Sequence, residues 1–350
     1  MARLRFRLAC AIALATLLAL TGMGCGDAAG RADHAATTSS GAPVKRATAR
    51  AAIAHVRVQP APTARFAVGE RVVTLVDRGR RIRFPGRRPQ PRTLVTVIRY
   101  PASGPASRTD VRDALPARLA GGFPLIVFGH GFAVTPAIYF RLLRAWAHAG
   151  YVVAAPVFPL ENAHAPGGPN ESDLVNQPRD MRFVISRLLA GNRDPHDPLA
   201  GLIAPSRIAV SGQSDGGETA LAVAYDPSYL DRRVRAAVIL SGALLPGGGP
   251  FAFPSPSPPL LASQGTADTI NQPRNTYAFF AAARPPKYLL SLLGAPHLPP
   301  YTDEQPQLTI VERVTIAFLD RYLKGVGDGL RQMRAAASVP PGRAALTSDP

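Results

Sequence analysis

Ser214 stands between Gly212 and Gly216 in the stretch VSGQSDGGETA, directly after the apolar run RIAV. A strand that turns at once into a helix needs a very tight corner, and side chains two residues to either side would collide there. Glycine on both flanks of a serine therefore fits a corner that lifts one hydroxyl clear of a sheet edge. The same corner aims the N–H groups of the helix start at that spot. A serine hydroxyl is a poor nucleophile unless a base takes its proton, and the usual base is a histidine oriented by a carboxylate. Of the seven histidines, only His297 follows Ser214, in the loop LLGAPHLPP. His34 and His55 lie in a Pro/Ala-rich arm, His130 in an HG turn, His148 on a helix, and His164 and His196 in loops before the serine. Asp268, in SQGTADTI, lies between serine and histidine and just past a strand. Asp226 and Asp231 precede a strand and belong at the opposite edge. Asp303 follows the histidine, and Asp215 sits beside the serine facing the wrong way to orient His297.

The elements that must hold these groups are legible in the hydrophobic pattern. FPLIVFGHG (123–131) is a continuous apolar run ended by glycines, as expected of a strand buried on both faces. YVVAAPV, SRIAVSG, VRAAVILSG, PPLLASQGT and PKYLLSLLG read as further strands. AVGERVVTLVD and TLVTVIRYP precede them, broken by RGRR and proline. Helices are predicted over 137–150, 172–191, 218–225, 273–283 and 304–324. Alternation of this kind predicts an α/β domain with a mainly parallel sheet and helices on both faces. Ser214, Asp268 and His297 then fall at the carboxyl ends of successive strands, the edge where open α/β sheets bind ligands. The segment 242–259 is too rich in Pro and Gly for a helical cap, so no cap domain is expected. A developing oxyanion would be met by the N–H of Asp215 and by the N–H of Phe132 in the HGF loop. Phe132, Tyr139 and Phe253 suit either a pocket lining or the core.

Taken together, GQSDG, HGF, TAD and APH resemble the nucleophile elbow, oxyanion loop, acid and base of an α/β-hydrolase, over about residues 120–322. PLIVFGHGF, YFRLLRAWAHAGYVVAAPVFPL and DLVNQPRDMRFVISRLL are most similar to the branch that holds dienelactone-hydrolase-like, platelet-activating-factor-acetylhydrolase-like and cutinase-like esterases. That resemblance implies a serine carboxylesterase or lipase-like enzyme acting through an acyl-enzyme on a small or lipid-like ester, with neither metal nor cofactor. Two residues depart from the pattern: Gln213 replaces a common histidine, and Asp215 replaces a small or aromatic residue. A carboxylate beside the oxyanion would weaken activity or disfavour anionic substrates. A peptidase on the same triad, and a non-catalytic binding protein that kept the fold, are the alternatives.

The formal net charge of +17 is concentrated in residues 1–120, with 21 basic and 6 acidic side chains. The arginines there are scattered without interleaved aromatics or a nucleic-acid-binding motif, so no nucleic-acid partner is expected. Arg3, Arg5 and Arg7 precede an apolar run from Leu8 to Leu20, and small residues follow: the pattern of a secretory signal peptide over 1–25. Cys25, after Gly24, resembles the lipidated cysteine of a bacterial lipoprotein. Residues 26–65 read as a flexible basic tether against a membrane surface. The expectation is an exported protein, anchored at the outer face of the cell membrane or else secreted. Residues 66–324 make the catalytic domain, and 325–350 are expected to be a loose tail.

Overall fold

The computed structural model describes residues 66–246 and 251–350. The leader, Cys25 and the basic arm lie outside the described residues.

Among the described residues, ten strands form one sheet: β1 (Ala67–Ile82), β2 (Gln90–Ala102), β3 (Val111–Arg112), β4 (Phe123–Gly129), β5 (Val152–Pro156), β6 (Ile203–Gln213), β7 (Val234–Leu240), β8 (Leu260–Gly265), β9 (Lys287–Leu292) and β10 (Ala344–Asp349). Their order is β10-β9-β8-β7-β6-β4-β5-β2-β1-β3. The run from β5 through β4, β6, β7 and β8 to β9 is parallel, while β2 and β10 join it antiparallel. The central strands are buried throughout, as their unbroken apolar composition requires. Along β4 the side chains alternate between two cores: Leu125 and Val127 enter one, Ile126 and Phe128 the other.

Among the described residues, six α-helices cover the faces. The helices α2 (Gln177–Gly191), α3 (Asp215–Tyr225) and α4 (Pro273–Ala282) pack on one side. The other side holds α1 (Phe140–His148), α5 (Gln307–Lys324) and α6 (Gly329–Ala337). The chain thus has the α/β architecture expected, with a mostly parallel sheet between two helical layers. Among the described residues, the connection from β7 to β8 carries no helix.

Two expectations are corrected. The RGRR stretch does not break β1, which runs on to Ile82 through an irregularity between Asp77 and Arg81. Its arginines are tolerated because they face solvent or carboxylates: Arg80 pairs with Asp77 and Asp180 at 2.6 and 2.7 Å. Arg92 of β2 is buried and forks onto both Asp173 and Asp180, fastening the hairpin to α2. The tail 325–350 is not loose. Met333 and Ala337 of α6 are buried against the α5 face, with Leu330 packed beside them at helical spacing. After it, β10 pairs residue by residue with β9 and closes the sheet edge. The apolar groups responsible are few and spread among Pro, Gly and Arg, which hides them from a composition reading.

Candidate active site

The corner at Ser214 is as tight as its glycines suggest. Ser214 has φ 56° and ψ −125°, a conformation L residues seldom adopt. A Cβ on Gly212 would lie 2.0 Å from the Gly216 carbonyl oxygen, and one on Gly216 would lie 2.1 Å from that of Gly129. No side chain fits either place, so β6 can turn into α3 and pass against β4 only with glycine there. Ser214 is anchored by its own backbone, with its N–H on the Leu240 carbonyl and its carbonyl on the Glu218 N–H. Its Oγ is 3.5 Å from Asp215 Oδ1.

His297 follows β9 and Asp268 follows β8, on neighbouring strands. His297 Nδ1 lies 2.7 Å from Asp268 Oδ2. The carboxylate accepts the Nδ1–H, which places the imidazole lone pair on Nε2. Asp268 also accepts from the Ile270 N–H and from the Gln264 amide. Burial by itself would raise its pKa, but the histidine and these donors outweigh burial and hold it below the ordinary carboxylate range.

Gln213 joins the serine corner to the histidine. Its Nε2 donates to the His297 carbonyl oxygen at 3.0 Å and stands 3.2 Å from His297 Nε2. Its Oε1 accepts from the Tyr139 hydroxyl at 2.8 Å, and that hydroxyl takes the Gly131 N–H. Ser214 Oγ and His297 Nε2 share no hydrogen bond in this arrangement; the Gln213 amide faces Nε2 and the hydroxyl faces Asp215.

The HGF loop comes down beside the serine: a Cβ on Gly131 would sit 3.1 Å from Ser214 Cβ. Among the described residues, nothing accepts the Phe132 N–H. Asp215 opens α3, so its N–H has no partner within the helix. Both donors are therefore available to a ligand atom above Ser214. His130 is spent on structure: its Nδ1 bonds the Gly131 carbonyl and its Nε2 accepts from the Phe158 N–H. Burial pushes its pKa down to about 4, so it is a neutral strut. Of the aromatics singled out, Tyr139 and Phe253 are core residues and Phe132 is 41% exposed.

The structure adds acids that no motif marked. Glu161 and Glu218 are buried beside Asp215. Glu161 Oε1 and Asp215 Oδ2 have no other hydrogen-bond partner, and the two carboxyl groups face each other. Burial, then the charge of Asp215, raises Glu161 up to about 9. Gln177 donates to its other oxygen. Burial and Asp215 likewise push Glu218 up to about 8, against a hydrogen bond from Asn271. Asp215 itself is raised, first by burial and then by the charge of Glu171. A buried acid has no signature in one sequence: Glu161 lies in a Pro-rich loop, and only the fold brings it to Asp215.

The arrangement is that of a strained serine corner, an oriented imidazole and two free N–H donors on one sheet edge. The chain has the α/β-hydrolase fold, and part of it resembles an esterase family. Residues 114–240 match the profile of the Chlorophyllase family, a span that includes the HGF loop and the serine corner. A ferulic acid esterase from Streptomyces cinnamoneus has a similar structure, with a TM-score of 0.57 at 24% identity, over 76% of this chain and 92% of that one. No curated protein matches the sequence. On this fold, Ser214, Asp268 and His297 stand at the carboxyl ends of β6, β8 and β9, the edge where open α/β sheets bind ligands.

Proposed function

We propose that the protein hydrolyses carboxylic esters through an acyl-enzyme on Ser214. The observation that carries this reading is the 2.7 Å His297–Asp268 contact beside the strained serine corner. On substrate binding, the Ser214 hydroxyl turns from Asp215 to His297 Nε2 and displaces the Gln213 amide from the lone pair. His297 takes the proton as Oγ attacks the ester carbonyl, and Asp268 steadies the resulting imidazolium. The N–H groups of Phe132 and Asp215 receive the oxyanion; each such donor lowers the barrier by about 3–4 kcal/mol. Collapse expels the alcohol, which takes its proton from His297. Water then repeats the sequence on the acyl-enzyme, releasing the acid and restoring the serine. None of these steps calls on a cofactor or metal.

The test is hydrolysis of p-nitrophenyl butyrate by the wild-type protein and by Ser214→Ala. Turnover abolished by the substitution supports the reading; equal rates in both contradict it. The Gln213 amide on the base and the acids around Asp215 favour one rival, a binding protein that kept the hydrolase fold. That rival predicts no labelling of Ser214 by a fluorophosphonate.

We further propose that the protein is exported and that Cys25 carries a lipid that tethers the basic arm to a membrane. The charged start, short apolar run and small residues before Cys25 support this. Metabolic labelling with an alkynyl fatty acid, lost in Cys25→Ser, tests it. Labelling that persists in the variant contradicts it.

A further inference from the structure

The hairpin loop between β1 and β2 carries Arg83, Arg87 and Arg88, all exposed, within six residues. They line one side of a cleft of about 750 Å³, a volume suited to a small-molecule ligand. The opposite wall is the loop from Leu160 to Asn170. That loop leads straight from Glu161, whose carboxyl group faces Asp215 beside Ser214. The cleft thus adjoins the sheet edge that bears the serine.

Its walls are preorganised. Pro85 and Pro89 stiffen one, and Pro166 and Pro169 the other. The two interlock where Gly167, at φ +87°, lets Pro85 approach: a Cβ there would be 2.5 Å from Pro85 Cγ.

The charges are unbalanced. No carboxylate lines the cleft, and among the described residues none of the three arginines has an acidic partner. Two neighbouring arginines show the contrast. Arg80 and Arg92, which line an adjoining cavity sharing Arg83 and Leu160, each have two aspartates. Arg80 and Arg92 are neutralised by the chain itself, whereas Arg83, Arg87 and Arg88 share one cleft without a carboxylate among its lining residues. Guanidinium groups fit carboxylate and phosphate oxygens in a two-pronged geometry.

We infer that this cleft is a subsite for an oxyanion, carboxylate or phosphate, borne by the ester substrate away from its scissile bond. The assignment rests on the ester-hydrolysis reading for its role, but not for its affinity. It also sharpens the expectation about anionic substrates: negative charge borne away from the scissile bond is accepted at the arginines.

The experiment compares the full-length protein with the triple variant Arg83→Ala, Arg87→Ala, Arg88→Ala. Substrates are p-nitrophenyl alkanoates and their analogues ending in a carboxylate, over a range of chain lengths. The expected result is a KM for one carboxylate-ended length about tenfold below that of its neutral counterpart, the worth of one charge-assisted hydrogen bond. The triple variant should lose that preference with turnover of neutral esters unchanged. Equal preference in both proteins would overturn the assignment. Calorimetry with the free α,ω-dicarboxylate keeps it testable if no ester is cleaved: saturable, salt-sensitive binding about tenfold weaker in the variant is expected. Binding that is absent, or unaltered in the variant, would overturn the subsite while leaving hydrolysis untouched. Inorganic phosphate and phosphatidylglycerol vesicles separate sources of the anion. Competition by phosphate supports the subsite, whereas vesicle binding without dicarboxylate binding contradicts it.

Discussion

Two aspartates border His297 and are driven in opposite directions. Asp268 accepts from the imidazole, the Ile270 N–H and the Gln264 amide, and is held ionised despite burial. Asp215 is also buried, but it meets the carboxyl group of Glu161 and lies near Glu171 and Glu218, and its pKa rises. Burial pushes both the same way, so the donors around each carboxylate decide the outcome. One aspartate can therefore orient a base and stabilise its positive charge. The other, beside the serine, has its ionised form disfavoured by burial and by the acids around it.

The largest expected effect breaks this asymmetry at Asp268. Asp268→Asn should lower kcat for p-nitrophenyl butyrate by about 10⁴-fold through the wrong histidine tautomer. Asp215→Asn should alter it by less than about tenfold, since the carboxylate takes no proton in the mechanism. Steady-state kinetics of the two variants decide the point, and similar losses in both would erase the distinction.

Next comes the corner that holds the two regions in register. Gly216→Ala would place a Cβ 2.1 Å from the Gly129 carbonyl oxygen. The expected cost is about 3 kcal/mol of stability, read as a lower urea midpoint at unchanged slope.

A pH experiment sharpens the comparison on the acid side. Glu161 and Glu218 keep their protons in the fold above the pH at which they lose them in the unfolded chain. The native state then binds more protons, so stability falls as pH rises from about 5 toward 8. Glu161→Gln should flatten that fall by up to about 1.4 kcal/mol per pH unit. Asp268 works the other way: its lowered pKa contributes stability at neutral pH that is lost as the solution is acidified through that pKa. Urea midpoints at pH 5 and pH 8 test the first sign, and midpoints at about pH 3 and pH 5 test the second.

The smallest effect concerns Gln213. Removing its amide in Gln213→Ala frees the His297 lone pair for Ser214, and the rate of fluorophosphonate labelling should rise about fivefold, the worth of one neutral hydrogen bond. A fall instead would mean that the amide serves chiefly to hold the His297 loop.

Much of this was legible in the sequence because it rests on local constraints. Glycines at 212 and 216 declare a tight corner, and the unbroken apolar run 123–129 declares a buried strand. His297 was reachable because six of seven histidines precede the serine. Other features depend on contacts distant along the chain. Glu161 and Asp215 are 54 positions apart in the sequence and meet only in the fold. Gln264, which braces Asp268, looks like any strand-end amide. The tail 325–350 folds because Met333 and Ala337 find a partner in α5 and because β9 offers a free edge to β10. Composition averages away so few buried groups. Arg80 and Arg92 likewise read as charge in a sequence, while in the fold they hold the β1–β2 hairpin to α2.

The central claim is that the corner hydroxyl and the Asp268-oriented imidazole act as one nucleophile. The most direct test is labelling by a fluorophosphonate, with the modified residue located by peptide mass spectrometry. The account predicts a single adduct on Ser214 in the wild-type protein, and labelling slowed at least about 10³-fold in His297→Ala. Labelling of another residue, or the same rate without the imidazole, would contradict it.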